Sequence, residues 1–165
     1  MEKKDLLTNI HSACAVGMNL IPPTLLCDSI GSIGLKTPLV VKPETTLAEC
    51  VDVLQHHKIG SLLVVDEQGK LVGIFTERDC ILKVMAKVQS LNEAVVKDYM
   101  TPHPIRERAE ASIAFALNLM SHGGFRHVPI VDQDDVPIGI VSVKDVVDHI
   151  VRKMLEAIYE AVEES

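Results

Sequence analysis

Two short stretches of the chain carry residue types from which a binding site could be built. Thr76-Glu77-Arg78-Asp79 and Ser142-Val143-Lys144-Asp145 each place a hydroxyl three residues before a carboxylate, with a cation between them. Each follows a short apolar run and opens a helical pattern, so hydroxyl and carboxylate fall at a strand-to-helix junction, one turn apart on the same side. Free N–H groups and the helix dipole make such a junction favourable for an anion. The same spacing is also that of a capping box, in which both groups serve only the helix's own N–H groups. Both uses of the pattern stay open.

Little else points to chemistry. There is no G-x-S-x-G, P-loop lysine or H-E-x-x-H, and the histidines are scattered with no Ser-His or Cys-His arrangement, so an enzyme is not expected. Cys14, Cys27, Cys50 and Cys80 form no C-x-x-C and read as buried or free thiols in a reducing compartment. His56-His57 lacks a second ligand pair, so no metal site is expected. A net charge of -7 and 3% aromatic residues argue against nucleic acid or an anionic membrane as the main partner. Lys3-Lys4 precedes a mildly apolar stretch, but Glu2, Asp5, Thr8, Asn9 and His11 interrupt it as a signal peptide. No apolar run is long enough to cross a membrane, and a cytoplasmic protein is expected.

The elements that would position these residues occur twice. Leu62-Leu63-Val64-Val65-Asp66 matches Val128-Pro129-Ile130-Val131-Asp132, and Gly73-Ile74-Phe75-Thr76 matches Gly139-Ile140-Val141-Ser142, both at an offset of 66 residues. Pro38 and Pro104, Ala48 and Ala114, and Leu54 and Met120 keep the same register. Each copy reads as a lead strand and a helix (Leu47, Cys50, Val51 and Leu54, or Ile113, Ala116, Leu117 and Met120, at helical spacing). Gly60, or Gly123-Gly124, then breaks the helix, and two apolar runs around an acidic turn make a hairpin. A second helix opens at Thr76 or Ser142. Neither copy can bury both faces of its sheet alone, so the two must pack together. Residues 86–99 read as a connector, and residues 1–35, broken by Pro22-Pro23, as a lead-in with no counterpart in the second copy. The final helix carries Val147, Ile150, Met154, Ile158 and Val162 at steps of three and four. That stripe fits packing on a second copy of the chain, with an intramolecular cover as the alternative.

The paired G-I-x-[ST]-x-x-D stretches, the Pro38 and Pro104 lead-ins and both apolar runs closed by Asp resemble CBS domains, the regulatory modules named for cystathionine β-synthase. The resemblance covers about residues 36–150, and Met100-Thr101-Pro102 and Thr76-Glu77-Arg78-Asp79 look like stand-alone prokaryotic members. It implies an α/β (α+β) fold of two β-α-β-β-α repeats packed face to face as a pseudo-two-fold pair. The organisation expected is a lead-in at 1–35, repeats at 36–85 and 100–150, a connector at 86–99 and a C-terminal helix extension at 151–165.

The resemblance further implies a cleft between the halves for an adenosine-containing small molecule, AMP, ADP, ATP or S-adenosylmethionine, as a regulatory ligand rather than a required cofactor. It also implies a homodimer and a regulated protein the sequence does not name. Asp79 and Asp145 would accept ribose hydroxyls, and the Thr76 and Ser142 hydroxyls would donate to ribose or phosphate oxygens. The first repeat would bind through Thr37, Pro38, Leu39, Ile74, Thr76, Arg78 and Asp79. The second would use Pro104, Ile105, Arg126, His127, Ile140, Ser142, Lys144 and Asp145. Arg126, His127 and Lys144 would favour a phosphorylated ligand and make the Asp145 site the tighter one, though an Arg-His pair is also an ordinary edge-strand feature. The competing function is a ligand-free dimerisation and interaction scaffold on the same fold.

Overall fold

The computed structural model describes residues 25–85 and 87–163. The first repeat runs β1 (Val40–Val41), α1 (Leu47–His57), β2 (Ser61–Val65), β3 (Leu71–Thr76) and a single turn α2 (Glu77–Asp79), which passes into a π-turn at Cys80–Val84. The second runs β4 (Thr101–Pro102), α3 (Ile113–Gly123), β5 (His127–Val131), β6 (Pro137–Ser142) and the long α4 (Val143–Glu163). The two hairpins are antiparallel and superpose at the expected offset: Leu62 pairs with Phe75 and Leu63 with Ile74, as Val128 with Val141 and Pro129 with Ile140. Even the irregularity in register recurs, at Val64/Val65 and at Ile130/Val131.

Every residue of β2 is buried because both sheet faces are covered. Leu62, Val64 and Phe75 pack under Leu47, Cys50 and Leu54 of α1. Leu63, Leu71 and Ile74 face the other way and meet Val131 and Ile140 of the second repeat. That alternation is the period of a strand, and it joins the repeats face to face.

The helix starts form for local reasons. Thr46 accepts a hydrogen bond from the Glu49 N–H at 3.2 Å while Glu49 Oε2 accepts from the Thr46 N–H at 3.0 Å. The helix ends differ from the sequence reading. The left-handed residue closing α1 is Lys58 (φ 52°), whose counterpart is Gly124 (φ 65°), and not Gly60. Gly60 is small for another reason, since a Cβ there would lie 3.3 Å from Glu77 Oε2 and from the His127 ring.

The lead-in is not unmatched. Ile30–Ile33 and Val96–Asp98 are equivalent 3-10 turns, and Ile30 and Val96 are both fully buried. The Ile30 N–H donates to Ala111 O at 2.8 Å, and the Val96 N–H donates to Thr45 O at 2.9 Å, the same bond 66 residues apart. Each turn docks on the helix of the other repeat: the segment before repeat one braces α3, and the segment before repeat two braces α1. The opening strands cross in the same way. β4 pairs with β3 of the first repeat (Gly73 with Pro102, Ile74 with Thr101), and Lys36 bridges to Ile140 of the second. Pro22-Pro23 lies outside the described residues. In α4 Val143, Val146 and Ile150 pack on the second repeat's core and Ile158 is buried with Met154 and Leu155, while Val147 and Val151 are exposed.

Candidate functional site

Because the opening strands cross over, the cleft at Thr76 and Asp79 is built from both repeats. It encloses about 830 Å³. Ile74, Thr76, Arg78, Asp79 and Lys83 come from β3 and the start of the following helix. Thr101, His103, Pro104 and Ile105 come from the segment that enters the second repeat, Gly124, Phe125 and Arg126 from the turn before β5, and His127 from the start of β5. Arg126 and His127, expected beside Asp145, also line this cleft, while His127 keeps its pairing with Ser142 and feels the Asp145 charge. The reason is topological: β5 pairs with β6 through His127 and Ser142, and the turn before it also borders the strand pair β3–β4, so this turn adjoins both half-sites.

The capping reading of the hydroxyl–carboxylate pairs is correct as far as it goes. Thr76 Oγ1 donates to Asp79 Oδ2 at 2.7 Å and accepts from the Asp79 N–H at 3.2 Å, and the Thr76 N–H donates to the same Oδ2 at 2.9 Å. Ser142 and Asp145 repeat this at 2.5, 3.2 and 2.9 Å. The hydroxyl proton is thus spent on the carboxylate, and Thr76 or Ser142 could serve a ligand only as an acceptor, not as the donor first expected. Of each carboxylate, Oδ2 belongs to the cap and Oδ1 faces outward. Oδ1 of Asp79 meets Lys83 Nζ at 2.7 Å, and that ammonium also donates to Met100 O and Thr101 Oγ1, both at 3.2 Å.

Charge in this cleft is uneven. Arg78, Lys83 and Arg126 bring three permanent cations, and Asp79 is the single carboxylate among the lining residues. Arg78 crosses the cleft to donate to Gly124 O at 2.8 Å. Burial and the neighbouring Arg126 push the His127 imidazole below its ordinary value, against the pull of Asp145 and Glu77. Ile74, Pro104, Ile105 and Phe125 supply an apolar wall of the same cleft. Phe125 has room there because Gly123 has no side chain: a Cβ would be 2.1 Å from its ring.

The other half-site is different. Asp145 Oδ1 meets Lys36 Nζ at 3.0 Å. Burial works to raise this carboxyl, but hydrogen bonds from Ser142 and Lys36 outweigh it and hold it below the usual carboxylate range. Lys144 does not join Arg126 and His127, because it pairs with Asp148 one turn along α4. Ile140 packs into the inter-repeat core, Leu39 packs against the first repeat's core, Thr37 is exposed and Pro38 half-buried. Lys83, His103 and Phe125 were missed in the sequence. Only Lys83 had a readable signal, four residues after Asp79 on one helix face.

Among the described residues no cluster of three His, Cys, Asp or Glu could hold a metal ion, and no helix is long and apolar enough to cross a membrane. His56 and His57 are exposed at the end of α1. Cys27, Cys50 and Cys80 are free thiols, with burial pushing Cys50 up to about 11.

The family model described as CBS domain matches residues 30–86 and 96–152, again 66 residues apart. An uncharacterised 17.7 kDa protein of Acidianus ambivalens is 35% identical over 120 residues, covering 73% of this chain and 71% of that one. The chain spans 14% to 60% of several further curated relatives that it matches. The CBS domain pair of protein MJ0100, solved with 5-methylthioadenosine and S-adenosyl-L-methionine, superposes with a TM-score of 0.68 at 30% identity over 76% of this chain and 97% of that one. CBSX2, solved in complex with AMP, superposes at 0.67 and 28% identity, covering 76% and 97%.

Proposed function

The chain belongs to the CBS domain family, and on that footing we propose that it is a regulatory binding module whose Asp79 cleft holds a phosphorylated adenine nucleotide. The observation that carries this reading is the charge of the cleft, three permanent cations around one carboxylate beside an apolar wall. Adenine would lie against Ile74, Pro104, Ile105 and Phe125. Asp79 Oδ1 would accept from ribose once Lys83 turns toward the phosphate. Arg126, Lys83 and His127 would meet the phosphate itself. The solved relatives with AMP and with S-adenosyl-L-methionine support an adenosyl ligand. Between those two, a sulfonium gains nothing from three cations, so AMP, ADP or ATP fits this cleft better. The role is binding and not catalysis. The free thiols suit the cytoplasm.

Output would come from a ligand that prefers one arrangement of the two repeats over another. A second copy of the chain is the natural partner for the exposed Ile81 and Met85 and their counterparts Val147 and Val151, which put matching apolar patches on the helices after both hairpins. The ligand-free scaffold keeps this dimer and drops the nucleotide.

Thermal unfolding against AMP, ADP, ATP, S-adenosylmethionine, NAD and GTP tests the reading. A ligand at ~100 times its dissociation constant adds about 2.7 kcal/mol, which raises the midpoint by roughly 5–10 °C in a chain of this size. A shift with adenine nucleotides and none with GTP is expected. No shift with any of them, on protein free of co-purified nucleotide, selects the scaffold.

A further inference from the structure

We propose that Lys36, which opens the first repeat, competes with a ligand for Asp145 Oδ1, so that the second half-site holds an adenosyl ligand less tightly than it would without that lysine. The inference rests on the adenosyl-ligand reading above. In both half-sites the cap consumes Oδ2 and leaves Oδ1 as the atom a ribose hydroxyl would use. Both Oδ1 atoms carry a lysine, but the lysines come from unrelated places. In the Asp79 cleft it is Lys83, one turn along the same helix, inside the cavity and bonded as well to Met100 O and Thr101 Oγ1. The residue 66 positions later is His149, which is buried and meets Arg152 at 2.8 Å through Nδ1. It cannot serve Asp145. The cation there arrives from 109 residues away in sequence, at Lys36.

The backbone behind Lys36 is fixed across this half-site. Lys36 bridges to Ile140, and Leu35 sits against Gly139, where an added Cβ would lie 3.0 Å from the Leu35 Cβ. Five residues upstream of Leu35, Ile30 is fully buried in the second repeat's core. A ligand that takes Asp145 Oδ1 must therefore displace the Lys36 ammonium from a backbone that stays bridged to Ile140. The Lys36 side chain is 78% exposed, so it acts as a weak competitor: an exposed ion pair is worth up to about 1 kcal/mol, which is roughly fivefold in affinity.

Calorimetric titration of adenosine separates the outcomes, because an uncharged probe removes any lysine–phosphate attraction. In an Asp79→Asn background, which leaves the Asp145 half-site as the reporter, Lys36→Met is expected to tighten adenosine about two- to fivefold. Lys36→Arg, which keeps the cation, is expected to stay within about twofold of the parent. The gain should vanish when Asp145→Asn is added, with thermal midpoints confirming that each variant folds. AMP binding to the wild-type chain together with unchanged or weakened adenosine binding in Lys36→Met would overturn the proposal alone. Failure of the wild-type chain to bind either adenosine or AMP would overturn the adenosyl reading, and the proposal with it.

Discussion

Arg126→Ala is the substitution that best separates a cleft shared between repeats from a site held within each one. Arg126 stands at the mouth of the Asp79 cleft and accounts for one of its three permanent cations. A hydrogen bond between charged partners contributes about 1.5–3 kcal/mol. Arg126 is exposed, so solvent screening places it at the low end, about 1.5 kcal/mol or roughly tenfold in affinity for AMP. Adenosine, which lacks the phosphate, should change by less than about twofold, since none of the apolar wall is touched. Isothermal titration of both ligands at about 0.15 M salt, with the low-salt loss for AMP larger, provides the readout. Lys144→Ala is the control, because Lys144 pairs with Asp148 and lies outside this cleft. A larger AMP loss from Lys144→Ala than from Arg126→Ala would refute the crossed assembly and restore sites confined to single repeats. Equal losses for AMP and adenosine would mean that Arg126 supports the fold and not the phosphate.

Three other outcomes follow from the same geometry. Ile30→Ala should cost about 2–5 kcal/mol in denaturant unfolding, since Ile30 is fully buried in the second repeat's core, and a cost under about 0.5 kcal/mol would mean that the lead-in is not part of the fold. His127 and His149 are both held below the ordinary imidazole value by burial and by Arg126 and Arg152 respectively, so the unfolded chain binds protons that the folded chain does not. Stability should therefore fall as pH drops from about 7 through 6.5 toward 5.5, and a midpoint that rises over that range contradicts the assignment. Met85→Asp and Val151→Asp place charges on the exposed patches of the proposed dimer, and analytical ultracentrifugation should find monomer; a dimer unchanged by both excludes that face.

Much of the architecture could be read from the residues because it is written locally. The hairpins follow from β-branched runs around Asp66 and Asp132, and the helix starts from Thr46, Thr76, Ser112 and Ser142, each of which does cap its helix. What stayed hidden depends on which repeat each segment pairs with. The offset of 66 fits equally well whether β4 lies on β3 or on β6, so the sequence does not reveal that Arg126 and His127 also line the Asp79 cleft. The lead-in was hidden for the same reason: the match between Ile30 and Val96 rests on two short turns with no side-chain pattern, and it is visible only in the backbone bonds to Ala111 and Thr45. Gly60 was misread because a glycine after a helix suggests a C-cap, whereas Lys58 takes the left-handed conformation and Gly60 gives room to His127. Lys36 carried no signal at all, being far in sequence from the carboxylate that it meets.

The central claim is that Asp79, Arg126 and Ile105, from two different repeats, close on one phosphorylated adenine nucleotide. A crystal structure of the chain grown with AMP tests it most directly. The account predicts one nucleotide per chain at modest AMP concentration, with ribose on Asp79 Oδ1, the base against Pro104 and Ile105, and phosphate beside Arg126 and His127. AMP bound at Asp145 with the Asp79 cleft empty, or the phosphate turned away from Arg126, would contradict it.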